Sequence, residues 1–196
     1  MKNISKWKIL NSKMVINNQW CKVRQDKIEL PSGQIIDDFF VNIRPDIAVI
    51  LPITPQKEIV FVRQYRHAVG EILLELPAGA FHPEEEDSAV AAARELEEET
   101  GYIAEQLIKL TTLYDNPPKD TNTIHLFLAE NVHQSSQQML DITEDIEVVL
   151  IPVSEVMQTI AQQKICVSGT IAAIFLGLNF LSHRAAQQVD ENNLNS

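Results

Sequence analysis

Cysteine is nearly absent: Cys21 and Cys166 are the two in 196 residues. Two thiols so far apart cannot build a disulfide framework, and neither shows the paired spacing of a metal site. They read as ordinary packed or half-buried thiols. Long apolar runs are missing too. The longest, residues 171–181, is too short to cross a bilayer and is broken by Gly177 and Asn179. The opening Met1-Lys2-Asn3-Ile4-Ser5-Lys6-Trp7 lacks the apolar core of a secretory signal, so the expected address is the cytoplasm, with no membrane partner. Basic residues are scarce: 16 Lys and Arg stand against 27 Asp and Glu, a net charge of −11. That balance disfavours nucleic acid as a partner, because a phosphate backbone needs clustered cations. There is no internal repeat and no low-complexity linker.

What is present suits one α/β domain with a modest extension: 45% of the residues are hydrophobic, enough for a globular core. The first 45 residues contain short extended runs at 7–10, 14–16, 20–23, 27–30 and 35–43, separated by turn formers such as Asn17-Asn18 and Pro31-Ser32-Gly33. They predict a small antiparallel β extension over residues 1–45. After the break at Arg44-Pro45-Asp46, the apolar runs 47–53 and 58–62 flank Thr54-Pro55-Gln56-Lys57 and predict a buried hairpin. Further strands are expected at 108–113, 124–129 and 146–151, and helices at 154–162 and 168–181. The main domain is expected to span 46–185, with a polar, frayed tail over 186–196.

The clearest helix covers residues 88–100. Asp87 or Ser88 can cap it, alanines fill its body, and Gly101 stands where a left-handed terminal residue belongs. Its last turns carry Arg94-Glu95-Leu96-Glu97-Glu98-Glu99. At roughly 100° per residue, Glu95, Glu98 and Glu99 share one face and Glu97 turns away toward solvent. Leu96, with Ala89, Ala92 and Ala93, makes the adjoining apolar stripe. Like charges on one face destabilise a helix by a few tenths of a kcal/mol per pair. A cation between them reverses that sign, and carboxylate oxygens suit a hard ion such as Mg²⁺ or Mn²⁺.

Upstream lies Glu75-Leu76-Pro77-Ala78-Gly79, and Glu86 precedes Arg94 by seven intervening residues. From Glu86 through Arg94-Glu95-Leu96, Glu98-Glu99 and Gly101-Tyr102 the chain resembles the Nudix box. It departs from the box at one place: six residues separate Gly79 from Glu86 where the family has five, which reads as a one-residue insertion near His82-Pro83-Glu84. The resemblance implies an α/β/α sandwich with a mixed sheet, and divalent-metal-dependent hydrolysis of a diphosphate. It implies that Glu95, Glu99, Glu98 and the carbonyl of Ala78 are metal ligands, and that Arg94 holds a glutamate by a bidentate pair. A general base is expected from a loop after the box. Glu144 fits that role best, with Asp141 and Asp145 as alternates, and Glu98 is the other catalytic candidate.

Within the family the resemblance is nearest to enzymes that act on ADP-ribose and other nucleotide sugars. Arg63-Gln64-Tyr65-Arg66 followed by Glu75-Leu76-Pro77-Ala78-Gly79 carries it, with Pro117 and Pro118 fifteen and sixteen positions beyond Tyr102. Arg66, Glu75 and Pro118 are therefore candidate substrate-binding residues. Arg66 could clamp a phosphate or equally form an ion pair with Glu75. The extra N-terminal strands resemble a segment exchanged in homodimers, with Trp7, Trp20, Phe39 and Phe40 as candidates to stack on a base. Other substrates (GDP-mannose, diadenosine polyphosphates) and a catalytically silent nucleotide-binding module stay open. An isomerase on the same fold is disfavoured, since it would want a reactive cysteine and both lie far from the box.

Overall fold

Alternating apolar residues in the first third of the chain pair into three antiparallel strands: β1 (Lys8–Asn17), β2 (Lys22–Glu29) and β3 (Ile35–Ile43), in the order β1-β2-β3. This is a computed structural model, and it describes residues 4–194. The five short runs expected here are three longer strands. Bulges between Ile9 and Asn11 and between Met14 and Ile16 absorb the irregularity that looks like a turn in the sequence. With Tyr114–Thr123 this sheet forms one of two compact units. Asn42 ties that segment down: its N–H donates to the Lys119 carbonyl at 2.8 Å and its carbonyl accepts from Thr121 at 3.1 Å. Its side-chain amide reaches Asp120 at 2.7 Å, and Arg44 adds a second donor to Asp120 at 3.3 Å. Burial at Asp26 opposes its ionisation. The Ser12 hydroxyl at 2.6 Å and the Arg24 guanidinium at 2.8 Å outweigh that, and hold the carboxyl below its usual range.

The second unit begins with β4 (Asp46–Ile53) and β5 (Glu58–Arg66). These strands were expected to form a hairpin along their length, yet they meet antiparallel only at Ile53↔Ile59 and then splay. The wedge between them is filled by β6 (Glu71–Glu75) on β5 and β7 (Ala78–Phe81) on β4. The chain then continues through α1 (Ser88–Thr100), β8 (Tyr102–Ile103), β9 (Leu107–Tyr114), β10 (Thr123–Glu130), β11 (His133–Gln134), β12 (Ile146–Pro152), α2 (Val153–Ala161) and α3 (Ser168–Leu194). The sheet order is β12-β5-β4-β10-β9, with β10 parallel to β4 and β12 antiparallel to β5. The expected mixed sheet is thus present.

Alternation along β4 sends its side chains to two cores. Ala48 and Ile50 meet Phe81, Ala91, Ala92 and Leu96 beneath α1. Val49, Leu51 and Ile53 meet Phe61, Leu126, Val156 and Ile174, so α2 and α3 cover the opposite face. Helices lie on both sides of the sheet, and the α/β/α sandwich stands. α3 outruns the expected 168–181 and continues to Leu194, through residues read from the sequence as a frayed tail. Ala185, Ala186, Gln187 and Gln188 favour helix, and Arg184 pairs with Glu130 at 2.7 Å, which anchors the extension.

α1 has its expected ends. Asp87 accepts from the Ala89 N–H at 2.8 Å, and Gly101 takes φ 74° as its N–H caps the Glu97 carbonyl. A Cβ at Gly101 would also fall 2.3 Å from the Ser136 carbonyl oxygen. Gly101→Ala should therefore lower stability by about 2 kcal/mol or more, since left-handed strain and a backbone clash add. Chemical denaturation of the purified variant checks this; an unchanged midpoint would contradict it.

Candidate active site

α1 settles on the sheet through Ala91, Ala92 and Leu96, all fully buried. Ala93, placed in that stripe by the sequence, is exposed instead, because the stripe is only as wide as the contact with β4 and β7. The helix lies so close to β7 that a Cβ on Gly79 would sit 1.8 Å from the carboxyl carbon of Glu95. Only glycine leaves that carboxylate room. Between β6 and β7 the chain crosses the split in the sheet, where the Pro77 carbonyl accepts from Ile50 at 3.1 Å. The N–H of the next residue, Ala78, donates to Glu99 Oε2 at 3.0 Å.

Glu95, Glu98 and Glu99 do share a face, in three environments. Glu99 is 3% exposed, and burial pushes its carboxyl up to about 8, against the Ala78 N–H that favours the anion; Glu95 and Glu144 add to the rise, and Arg66 opposes it. Burial likewise raises Glu95 above the ordinary range, although Arg94 beside it pulls the other way. Glu98 is more open and reaches Arg94 at 2.9 Å. Glu97 stands apart from this group and accepts from Ser136 Oγ at 3.4 Å.

Arg94 organises the cluster. Its Nε and Nη2 form a fork on the Glu86 carboxylate at 3.1 and 3.0 Å, while Nη1 donates to Glu95 Oε1 at 2.7 Å and Glu98 Oε2 at 2.9 Å. The fork lands on Glu86 and not on Glu85, as the inserted residue in the preceding loop requires. Glu86 is held below the usual carboxylate range by that bond, and Arg94 is raised in turn.

The loop after β11 is pinned to the end of α1. The Gly101 carbonyl accepts from Ser135 and Ser136, the Glu98 carbonyl from Met139 at 2.8 Å, and the Glu99 carbonyl from Gln138 Nε2 at 2.7 Å. These bonds satisfy carbonyls that a helix end leaves unpaired. They also deliver Glu144, whose charge acts on both Glu95 and Glu99. Glu144 closes a turn with Asp141, accepting the Asp141 N–H at 3.0 Å and donating its own to the Asp141 carbonyl at 2.9 Å. Gln138 was not singled out in the sequence. A lone glutamine in a polar loop gives no signal until its carbonyl partners are in place.

Arg66 and Glu75 are brought together: Arg66 Nε donates to Glu75 Oε2 at 2.9 Å, so the ion pair foreseen as the alternative is made. Next to Glu75, the Leu76 N–H donates to Thr170 Oγ1 at 3.1 Å. Pro118 belongs to the other unit, in Tyr114–Thr123. A cavity of about 730 Å³ lies along β12, lined by Thr100, Tyr102, Gln138, Ile146 and Val148 among others, and none of the clustered glutamates lines it.

Glu95, Glu98, Glu99 and Glu144 together are a donor set of hard oxygens, the kind a divalent ion prefers. Among the described residues no three His, Cys, Asp or Glu side chains converge on one point as they stand. Arg94 Nη1 stands between Glu95 and Glu98, while Glu99 is engaged by the Ala78 N–H. The chemistry of this donor set fits a hard cation.

The NUDIX domain model matches residues 43–167, and a model described as the nucleoside diphosphate sugar hydrolase N-terminal domain matches residues 7–42. A methanol dehydrogenase activator of Bacillus methanolicus is 32% identical over 85% of this chain and 90% of its own length. An ADP-ribose pyrophosphatase of Bacillus subtilis is 30% identical over 88% of this chain and 90% of its own. The crystal structure of an ADP compounds hydrolase superimposes with a TM-score of 0.82 at 24% identity, covering 94% of this chain and 98% of that one, which shows the shared fold.

A buried acid with a raised pKa disfavours folding once the unfolded chain has ionised. The contribution of Glu99 is intact below about pH 4.5 and is lost as pH rises to about 8. In a chelator, thermal stability should fall across that window, by an amount on the order of a few kcal/mol. Glu99→Gln should flatten the loss. Melts of both proteins between pH 4.5 and 9 decide it; parallel profiles would rule the burial argument out.

Proposed function

The chain belongs to the Nudix hydrolases, and from that premise we propose that it cleaves the diphosphate link of a nucleoside diphosphate sugar, with ADP-ribose, cut to AMP and ribose 5-phosphate, as the leading substrate. The observation that carries this reading is the set of Glu95, Glu98 and Glu99 on α1 with Glu144 delivered beside them by a loop fastened to the end of the same helix. The match of residues 7–42 to an N-terminal domain of nucleoside diphosphate sugar hydrolases supports the substrate class, as does similarity to an ADP-ribose pyrophosphatase.

Glu95, Glu98, Glu99 and the Ala78 carbonyl would hold Mg²⁺ or Mn²⁺. When bound, such an ion neutralises the diphosphate and makes water a better nucleophile. The chain's own groups do the rest. Glu144, with Asp141 and Asp145 as alternates and Glu98 as the second candidate, takes the proton of the attacking water. Water oxygen bonds to phosphorus as the bridging P–O bond breaks, and the leaving phosphate carries away the electron pair. Arg66 is positioned by Glu75 to meet a phosphate oxygen, and Pro118 is kept as a further candidate for substrate binding. The N-terminal sheet leaves Ile9, Leu10, Met14, Val15 and Ile16 of β1 exposed, and this apolar strand supports a homodimer. A cytoplasmic address suits a nucleotide-sugar substrate; among the described residues no helix is long and apolar enough to cross a membrane. GDP-mannose, a diadenosine polyphosphate and a silent binding role are the competing readings.

A hydrolysis screen over ADP-ribose, ADP-glucose, GDP-mannose, NADH and diadenosine polyphosphates should give the highest kcat/KM for ADP-ribose and no turnover in EDTA; undiminished rates after chelation would remove the metal mechanism. Glu99→Gln should cost about a thousandfold in kcat and Glu95→Gln nearly as much, because each removes a proposed ligand of the ion. Glu97→Gln, off that face, should stay within about twofold of the parent. In light scattering the mass should be about twice 22.1 kDa, and a monomer at micromolar concentration would reject the dimer.

A further inference from the structure

Arg94 divides its guanidinium between two tasks. One edge, Nε and Nη2, is committed to Glu86 by two bonds of 3.1 and 3.0 Å. The remaining nitrogen, Nη1, bridges Glu95 Oε1 at 2.7 Å and Glu98 Oε2 at 2.9 Å. Those two oxygens belong to carboxylates that the proposed metal site requires. Each carboxylate keeps a second oxygen, but the guanidinium and a divalent ion brought against the same pair both carry positive charge and repel each other. The two edges differ in what holds them: Glu86 lies off the helix and offers a bidentate, planar match, whereas Nη1 makes one bond to each of Glu95 and Glu98, of which Glu98 is the more open.

We infer that Arg94 Nη1 and the divalent ion compete for Glu95 and Glu98, so that ion binding is a cation exchange. The two carboxylates turn from Nη1 to the ion while the fork to Glu86 stays closed. This rests on the metal reading above and goes beyond it. Arg94 is then a positioning residue with a cost attached: it keeps Glu95 and Glu98 from repelling each other when no ion is bound, and it lowers the affinity with which they take one. Glu86 is the anchor that keeps the displaced guanidinium beside the site instead of releasing it to solvent. The charge it leaves there stands near the carboxylates that hold the ion, where it tempers metal affinity and limits how tightly the ion is retained between turnovers.

The experiment follows Arg94 itself. In ¹⁵N-labelled protein its side-chain signals are assigned by their disappearance in Arg94→Lys, and Mg²⁺ is titrated in after chelation while calorimetry records binding. The Nη1 protons should exchange slowly with solvent in EDTA and rapidly at saturating Mg²⁺, whereas the Nε–H signal keeps its position and protection throughout. Arg94→Gln should bind Mg²⁺ about tenfold more tightly, the effect expected when a like charge a few Å away is removed in partly screened surroundings. Saturable Mg²⁺ binding with Nη1 still protected would overturn the exchange and leave the metal reading intact. So would weaker binding by Arg94→Gln, the result of a residue that only braces the glutamates. No Mg²⁺ binding by the parent protein would overturn both. Should Arg94→Gln fail to fold, the parent protein's signals still decide the matter.

Discussion

Room for one carboxylate constrains the rest of the site. α1 sits so close to β7 that the Glu95 carboxyl carbon occupies the place where a side chain at position 79 would begin. The small residues Ala91 and Ala92 set this approach on the helix side, and Ala48 and Gly79 set it on the sheet side. Larger residues would lift the helix and carry Glu95, Glu98 and Glu99 away from the Pro77-Ala78 crossing. With the helix down, Ala78 can bond Glu99, and a carboxylate that would otherwise be stranded in a dry interior gains a donor.

Such a helix is built against its own electrostatics, and its stability has to come from elsewhere. Asp87 and Gly101 close its ends, and alanines supply helix propensity. The loop carrying Ser135, Ser136, Gln138 and Met139 bonds its last carbonyls. Arg94 cancels part of the repulsion with one guanidinium shared among Glu86, Glu95 and Glu98. The fastening of that loop has a second effect: it carries Glu144 to the acidic face, so the bonds that finish the helix also complete the cluster.

The split between β4 and β5 has a similar double use. Strands that parted after one register pair would leave backbone groups unsatisfied in the middle of a sheet. β6 and β7 fill the wedge, and the start of β7 presents Ala78 and Gly79 to α1. A full β4–β5 hairpin would have been a simpler sheet with no such crossing.

Local features were readable from residues alone. Ser88–Thr100 was legible to its ends because caps, alanine content and a terminal glycine act within a few positions of one another. The shared face of Glu95, Glu98 and Glu99 follows from helical pitch, and the N-terminal strands from alternation. Only the folded chain decided that the hairpin splays, that Ala93 faces out, that Arg66 pairs with Glu75, and that Gln138 and Met139 dock on the end of α1. Each of these depends on partners distant in the sequence, or on the width of a contact, and neither leaves a periodic trace. Spacing to Arg94 singled out Glu86 as the box glutamate before the helix, but only the folded chain decided that Glu86 is the one to take the fork of Arg94, because a bidentate pair forms only where a carboxylate plane meets the guanidinium edge.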